Sequence, residues 1–255
     1  MNDLPPPAHE AGRDAPAADS GGVPWSGREL TRTRFDGDLG AADASLLAAL
    51  DDPQDETRLM RAVARARLLV PIVAAPREVD GSGEPRAEQA TDMAVVTLTA
   101  PGGQRAFLVF SSLATLSAWD CTARPSPVTS SRAAQGAVTE RCDVMLLDCG
   151  SARERVLRPS MVWALAQQRG WLPAHTDPFV AQALVRATAD EDDVIDCLGQ
   201  PDLAEAGILR VVLSLRAGLD AGMVQALAAR IGERIATDGE ARARIDGLSF
   251  TIRQA

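Results

Sequence analysis

The sequence predicts an α+β fold in two parts, an N-terminal mixed or antiparallel sheet with several helices and a smaller open C-terminal α+β domain. Three observations carry that reading. Apolar periods follow one another as helix, helix, strand, hairpin, helix, helix, hairpin, helix, which mixes antiparallel pairs with helices and lacks the regular alternation of a parallel α/β sheet. A proline- and acid-bearing stretch at 173–190 separates that run from a shorter one reading strand, strand, helix, strand. A chain of 255 residues, 46% of them hydrophobic, can fill two ordinary cores. The division that results is a disordered tail at 1–24, a first domain at 25–172, a linker and helix at 173–190, and a small second domain at 191–255.

Taken in order, the Pro/Ala/Gly/Asp-rich start lacks the apolar content to fold, and Trp25 is the first residue suited to burial. Asp36 and Asp38 suit turns and caps, since the further oxygen ligands of a calcium loop do not follow. Helices are expected at about 42–50 and 53–67, the second with Asp55 as N-cap and Leu59, Met60, Val63 and Ala64 inward. Its outer side carries Arg58, Arg61 and Arg65, a stripe that Asp51, Asp52, Asp55 and Glu56 stand close enough to neutralise. The strand Leu68 to Val73 belongs at an edge or a bulge, because Pro71 has no N–H to give.

Beyond a Gly/Pro/Glu-rich connector at 76–91, Met93–Thr99 and Arg105–Phe110 flank Pro101-Gly102-Gly103 as a β-hairpin. Ser111 or Ser112 caps a helix ending near Trp119, Ser130 or Ser131 caps another running to Arg141, and 124–127 is extended between them. Strands at 144–147 and 156–157 surround Cys149-Gly150-Ser151. The helix closing the first domain starts at Pro159 and stops at Gly170, the expected left-handed residue. At about 100° per residue Met161, Val162, Leu165 and Ala166 share its apolar side, while Trp163 falls on the flank.

In the second part, Asp177-Pro178 opens a helix through Ala187, and Asp190 to Asp193 reads as a solvated linker end. Strands are expected at 194–198, 208–215 and 245–252. Asp220 opens a helix with Val224, Leu227, Ala228, Ile231 and Ile235 inward.

A net charge of -9 and a pI near 4.8 argue against nucleic acid or an anionic membrane as partner. Every one of the 26 basic residues is arginine, which excludes Schiff-base chemistry, pyridoxal phosphate attachment and the phosphate-loop lysine. No apolar run approaches the roughly 18–20 residues of a membrane span, and the start has neither a basic region nor an apolar middle, so a cytoplasmic protein is expected. Cys121, Cys142, Cys149 and Cys197 form no C-x-x-C pair and read as small hydrophobes. Neither a cofactor motif nor a metal-ligand spacing is present, and His175 is the one histidine outside the tail residue His9. A hydrolase would have to use His175 as its base without a flagged nucleophile. The residue types enriched at protein interfaces are better represented, by Trp163, Arg158, Trp119 and Arg124, with Trp25, Trp171 and Arg169 in the same domain.

Trp25-Ser-Gly-Arg-Glu-Leu, Arg67-Leu-Leu-Val-Pro-Ile-Val-Ala, the hairpin at 96–103, Trp119-Asp with Arg124-Pro-Ser-Pro-Val, and Leu157-Arg-Pro-Ser-Met-Val-Trp-Ala-Leu resemble actinobacterial SseB-like proteins over about 25–255. The family's namesake was described as enhancing serine sensitivity, and related domains occur in proteins linked to secretion and sulfur-transfer partners. The resemblance implies an N-terminal α+β SseB domain followed by a smaller C-terminal domain, and it brings no catalytic residues. Three functional readings follow. The first is a non-enzymatic protein-interaction or regulatory module using Trp163, Arg158 and the 119–128 segment, with pairing to a second copy left open. The second is a small-molecule sensor with a pocket between the domains gated by 171–178, and the third is the His175 hydrolase.

Overall fold

Antiparallel pairing around one proline-bearing strand organises the first half of the chain. The structure, a computed structural model, describes Phe35, residues 37–75 and residues 92–254. The tail at 1–24, His9, Trp25, Asp36 and the connector at 76–91 lie outside the described residues.

Leu39–Ala255 forms one compact unit. In its first sheet β1 (Arg67–Ala75) lies between β2 (Asp92–Val95) and β5 (Arg124–Thr129), antiparallel to both. A second sheet runs β3 (Thr97–Thr99), β4 (Arg105–Val109), β6 (Val144–Leu147), β7 (Arg155–Leu157), with only β4 and β6 parallel. Leu69 and Phe110 exchange two 2.8 Å backbone hydrogen bonds and tie the sheets together. The chain is thus α+β, with mixed and antiparallel sheets.

Since β1 is a middle strand whose pairing shows no register shift, the edge or bulge position expected for Pro71 is corrected. Its carbonyl accepts from Val96 N–H at 3.4 Å, so the missing N–H lies on the β2 side. There β2 pairs only from Ile72 onward and Phe110 pairs with Leu69, and the proline sits at the handover between the two. On the other side it faces Pro125, at a position an antiparallel ladder leaves unbonded. The expected hairpin is also divided: 97–99 pairs with 105–107, whereas 92–95 crosses to β1.

Along β1 and β4 the side chains alternate between two cores. Leu68, Val70, Phe107 and Val109 enter the larger one, and Leu69, Leu108 and Phe110 the smaller. Both faces are covered, which is why these strands read as nearly continuous apolar runs. The larger core is roofed by α1 (Ala44–Leu50), α2 (Glu56–Arg65), α4 (Ser130–Thr139) and α5 (Pro159–Ala166). Between α2 and α4 in the chain, α3 (Leu113–Trp119) covers the opposite face with Leu116 and Trp119.

Caps account for the helix boundaries. Asp55 accepts from Arg58 N–H and starts α2, whose Ala64 is exposed, against expectation. Ser112 and Thr115 make a reciprocal capping box on α3, while Ser111 bonds the buried Asp148. Thr129, not Ser130 or Ser131, caps α4, and Ser130 instead donates to the carbonyls of Val63 and Ala66, stitching α4 to α2. Helix α5 stops on Gln168, left-handed at φ 55°, with Arg169 N–H reaching Ala164 O at 2.9 Å. Gln168 therefore takes the role expected of Gly170.

The C-terminal half follows as α6 (Pro178–Thr188, capped by Asp177), β8 (Val194–Pro201), β9 (Ile208–Leu215), α7 (Ala221–Thr237), α8 (Gly239–Arg242) and β10 (Gly247–Gln254). The sheet order is β10-β9-β8, and α7 provides the crossover that a parallel β9/β10 pair requires. Leu209, Val211, Leu213 and Leu215 pack with Leu184, Leu227, Ile231 and Ile235 as a third core. Within the acidic run Glu191 is not solvated: it binds Arg230 at 2.7 Å and Arg234 at 3.0 Å, and its side chain is 9% exposed. Among the described residues no helix is long and apolar enough to cross a membrane.

Candidate functional site

Helix α5 begins with an omission. Its N-cap position holds Arg158, whose side chain caps nothing, and Pro159 follows. The free N–H of Ser160 is taken by a carboxylate from the other half of the molecule: Asp246 Oδ1 accepts it at 2.7 Å. Asp246 Oδ2 accepts from Ser160 Oγ at 3.1 Å and from Arg158 Nε at 2.9 Å. The remaining guanidinium nitrogens of Arg158 donate to both oxygens of Glu56 on α2, at 2.5 and 2.9 Å. Trp171 donates its indole N–H to Ser160 Oγ at 3.0 Å and lies beneath the Arg158 guanidinium, 5.9 Å from its ring centre.

One arginine thus clasps α2, α5 and the loop before β10. Its side chain is 17% exposed and that of Asp246 is 9% exposed. Burial disfavours the Arg158 charge, but the bonds to Glu56 and Asp246 outweigh it and hold its pKa above the ordinary arginine value. Gly207 closes over the clasp at φ +90°, where an added Cβ would stand 2.5 Å from Arg158 Nε and 2.8 Å from Asp246 Oδ2.

Beside the clasp is a cleft of about 460 Å³ between the two halves, lined among others by Gln54, Thr57, Trp171, His175, Asp202 and Ile208. His175 is exposed, and among the described residues its side chain has no hydrogen-bond or ion-pair partner. On the far wall Arg244 donates to the buried Asp177 at 2.8 Å and lies 4.1 Å over the Phe179 ring.

The expected interaction residues separate into different environments. Trp163 is 42% exposed although Ser160, Met161, Val162, Ala164 and Leu165 around it on α5 are buried. It borders a hollow of about 280 Å³ with Val138, Arg141, Cys142, Asp143 and Pro159. Arg158 belongs to the clasp. Trp119 is half-buried against Phe110, ring centres 5.4 Å apart, and Arg124 is exposed on β5. Arg169 donates to the Ala243 carbonyl at 2.6 Å, and burial, with Arg244 nearby, lowers its pKa.

The arginine stripe on α2 is exposed at Arg58, Arg61 and Arg65, and its expected acid partners are engaged elsewhere. Asp51 pairs with Arg153, Asp52 accepts from Gln54 N–H, Asp55 caps the helix and Glu56 is held by Arg158, so among the described residues none of the expected acids forms an ion pair with Arg58, Arg61 or Arg65. Burial raises the thiol pKa of Cys142, Cys149 and Cys197, the last to about 11, while Cys121 is exposed. Among the described residues no three His, Cys, Asp or Glu side chains are grouped to hold a metal ion.

Sequence reading missed Asp246, Glu56, Ser160 and Gly207. One signal was present: a helix opening Arg-Pro has no Ser, Thr, Asp or Asn at its cap, and so requires an acceptor from elsewhere.

The model of the SseB protein N-terminal domain matches residues 43–164, just under half of the chain. It takes in Glu56, Arg158 and Trp163 and stops short of Trp171 and Asp246. No curated protein and no solved structure matches the chain.

Proposed function

We propose that this chain, a member of the SseB-like family through its N-terminal domain at 43–164, works in the cytoplasm as a non-enzymatic protein-binding or regulatory module. The observation that supports this reading is Trp163. A tryptophan 42% exposed on an otherwise buried helix, beside a hollow edged by Val138 and Pro159, has the large apolar face and the adjacent cavity of an interface anchor. Arg141, exposed at the same hollow, supplies a charged rim. The docking surface is therefore centred on Trp163.

Pull-down from the protein's own cells, with bound chains identified by mass spectrometry, tests this. A partner recovered by the wild type and lost with Trp163→Ala, at an unchanged melting temperature, is the expected result. Identical recovery by both proteins overturns the reading.

A second reading, the small-molecule sensor, is favoured by the cleft, because Trp171, Pro173, Ala174 and His175 line it as a gate at 171–178 would. A thermal-shift screen with amino acids and nucleotides checks it. A specific ligand at about 100 times its Kd adds roughly 2.7 kcal/mol to stability, and a flat screen removes this reading.

A further inference from the structure

The two edges of the C-terminal sheet are built differently. At one edge β8 carries a register shift between Val194 and Asp196, an exposed charge at Asp196 and a proline at Pro201. These are devices that keep a strand edge from pairing with another chain. At the other edge β10 has none of them. It follows β9 in unbroken parallel register from Gly247 to Gln254, contains no proline, and carries one charge, Arg253, next to its end. Among the described residues nothing pairs with its outer side. Next to that side an open hollow of about 650 Å³ is walled by Val224 and Ala228 of α7 and by Phe250 and Ile252, its polar lining being Gln225 and Gln254. No charged residue lines it, on a chain of net charge -9.

We propose that β10 is a homodimer interface, pairing antiparallel with β10 of a second copy about a two-fold axis at Phe250. The strand is self-complementary in that arrangement. Leu248 meets Ile252 of the copy and Ser249 meets Thr251, so apolar opposes apolar on the core face and hydroxyl opposes hydroxyl on the other. The single charged side chain, Arg253, lies opposite Gly247, and no like charges meet. The pairing supplies partners for the outward N–H and C=O groups of an edge strand, extends the sheet to six strands and brings the two apolar hollows together. A second copy fits better than another protein because the strand's one charge, Arg253, falls opposite Gly247, and apolar matches apolar and hydroxyl matches hydroxyl on either side of Phe250.

Sedimentation velocity on the full chain, over about 1–100 µM, tests the proposal, a range suited to micromolar association. The wild type is expected to dimerise. Thr251→Lys and Thr251→Glu each place like charges diagonally across the two-fold, and each is expected to weaken the dimer by about tenfold or more. A one-to-one mixture of the two variants restores it, and this rescue separates a broken interface from a broken fold. A wild type that is monomeric throughout overturns the proposal and leaves the β10 edge to an extended segment of another protein. A dimer equally tight in both variants also overturns it, placing self-association elsewhere. Trp163 takes no part, so neither result bears on the protein-docking surface.

Discussion

Arg158 and Trp163 stand five residues apart on one helix, and their chemistry points in opposite directions. Both belong to the residue types that dominate protein interfaces. Arg158 has Glu56 on one side of its guanidinium and Asp246 on the other and is 17% exposed, so its donors are used inside the molecule. Trp163 is 42% exposed, and its side chain makes no ring contact or hydrogen bond among the described residues. Residue type alone does not distinguish a hot spot from a clasp. The partners that the fold brings to the side chain do, and for Arg158 the decisive one comes from 88 residues further along the chain.

Removing Asp246 should break that comparison most sharply. In Asp246→Ala the Arg158 charge keeps only Glu56, and Ser160 loses its acceptor. Leaving a buried charge wholly uncompensated costs about 3–5 kcal/mol, and because Glu56 still balances Arg158 the loss here should lie near or below the lower end of that range, which urea unfolding would read directly. Asp246→Asn keeps an acceptor for Ser160 N–H and should recover part of the loss. Trp163→Ala, by contrast, should cost no more than about 1 kcal/mol, because a side chain so exposed leaves little cavity behind. If Asp246→Ala were as mild as Trp163→Ala, Arg158 would be a residue with well-placed but energetically idle partners.

Much of the fold was legible because it is local. The caps Asp55, Asp177 and Asp220, the face of α7 and the apolar alternation of β4 are all set within a few residues, and so is the off-stripe position of Trp163. What could not be read depends on pairing over long separations. Pro71 announced an edge or a bulge, and only the arrival of Phe110 and the late start of β2 make a regular middle strand compatible with it. The site was harder for the same reason. Arg158 and Trp163 were both visible as unusual residues, yet the acid that decides the fate of Arg158 sits in the loop before β10, and nothing near position 246 marks it as a cap for position 160.

Glu191 extends the comparison to a weaker case, an acid whose sequence neighbours Asp190 and Asp192 remain exposed while it is drawn between Arg230 and Arg234. The hydrogen bond from Arg230 holds its carboxyl below the usual glutamate range against the opposing effect of burial, with the Arg230 and Arg234 charges adding to it. A carboxylate whose folded pKa is depressed contributes stability that is fully present above its unfolded pKa and is lost as pH falls through the folded value. Glu191→Gln should therefore melt below the wild type at pH 7, and the gap should narrow as pH drops below about 4.5 and close once the wild-type carboxyl is protonated. The effect is the smallest of the series, because Arg230 is half exposed and water screens the pair. A gap that stays constant from pH 7 to pH 3 would mean that Glu191 acts through packing alone, and that of these arginine-bound acids only those of the Arg158 clasp act through their charge.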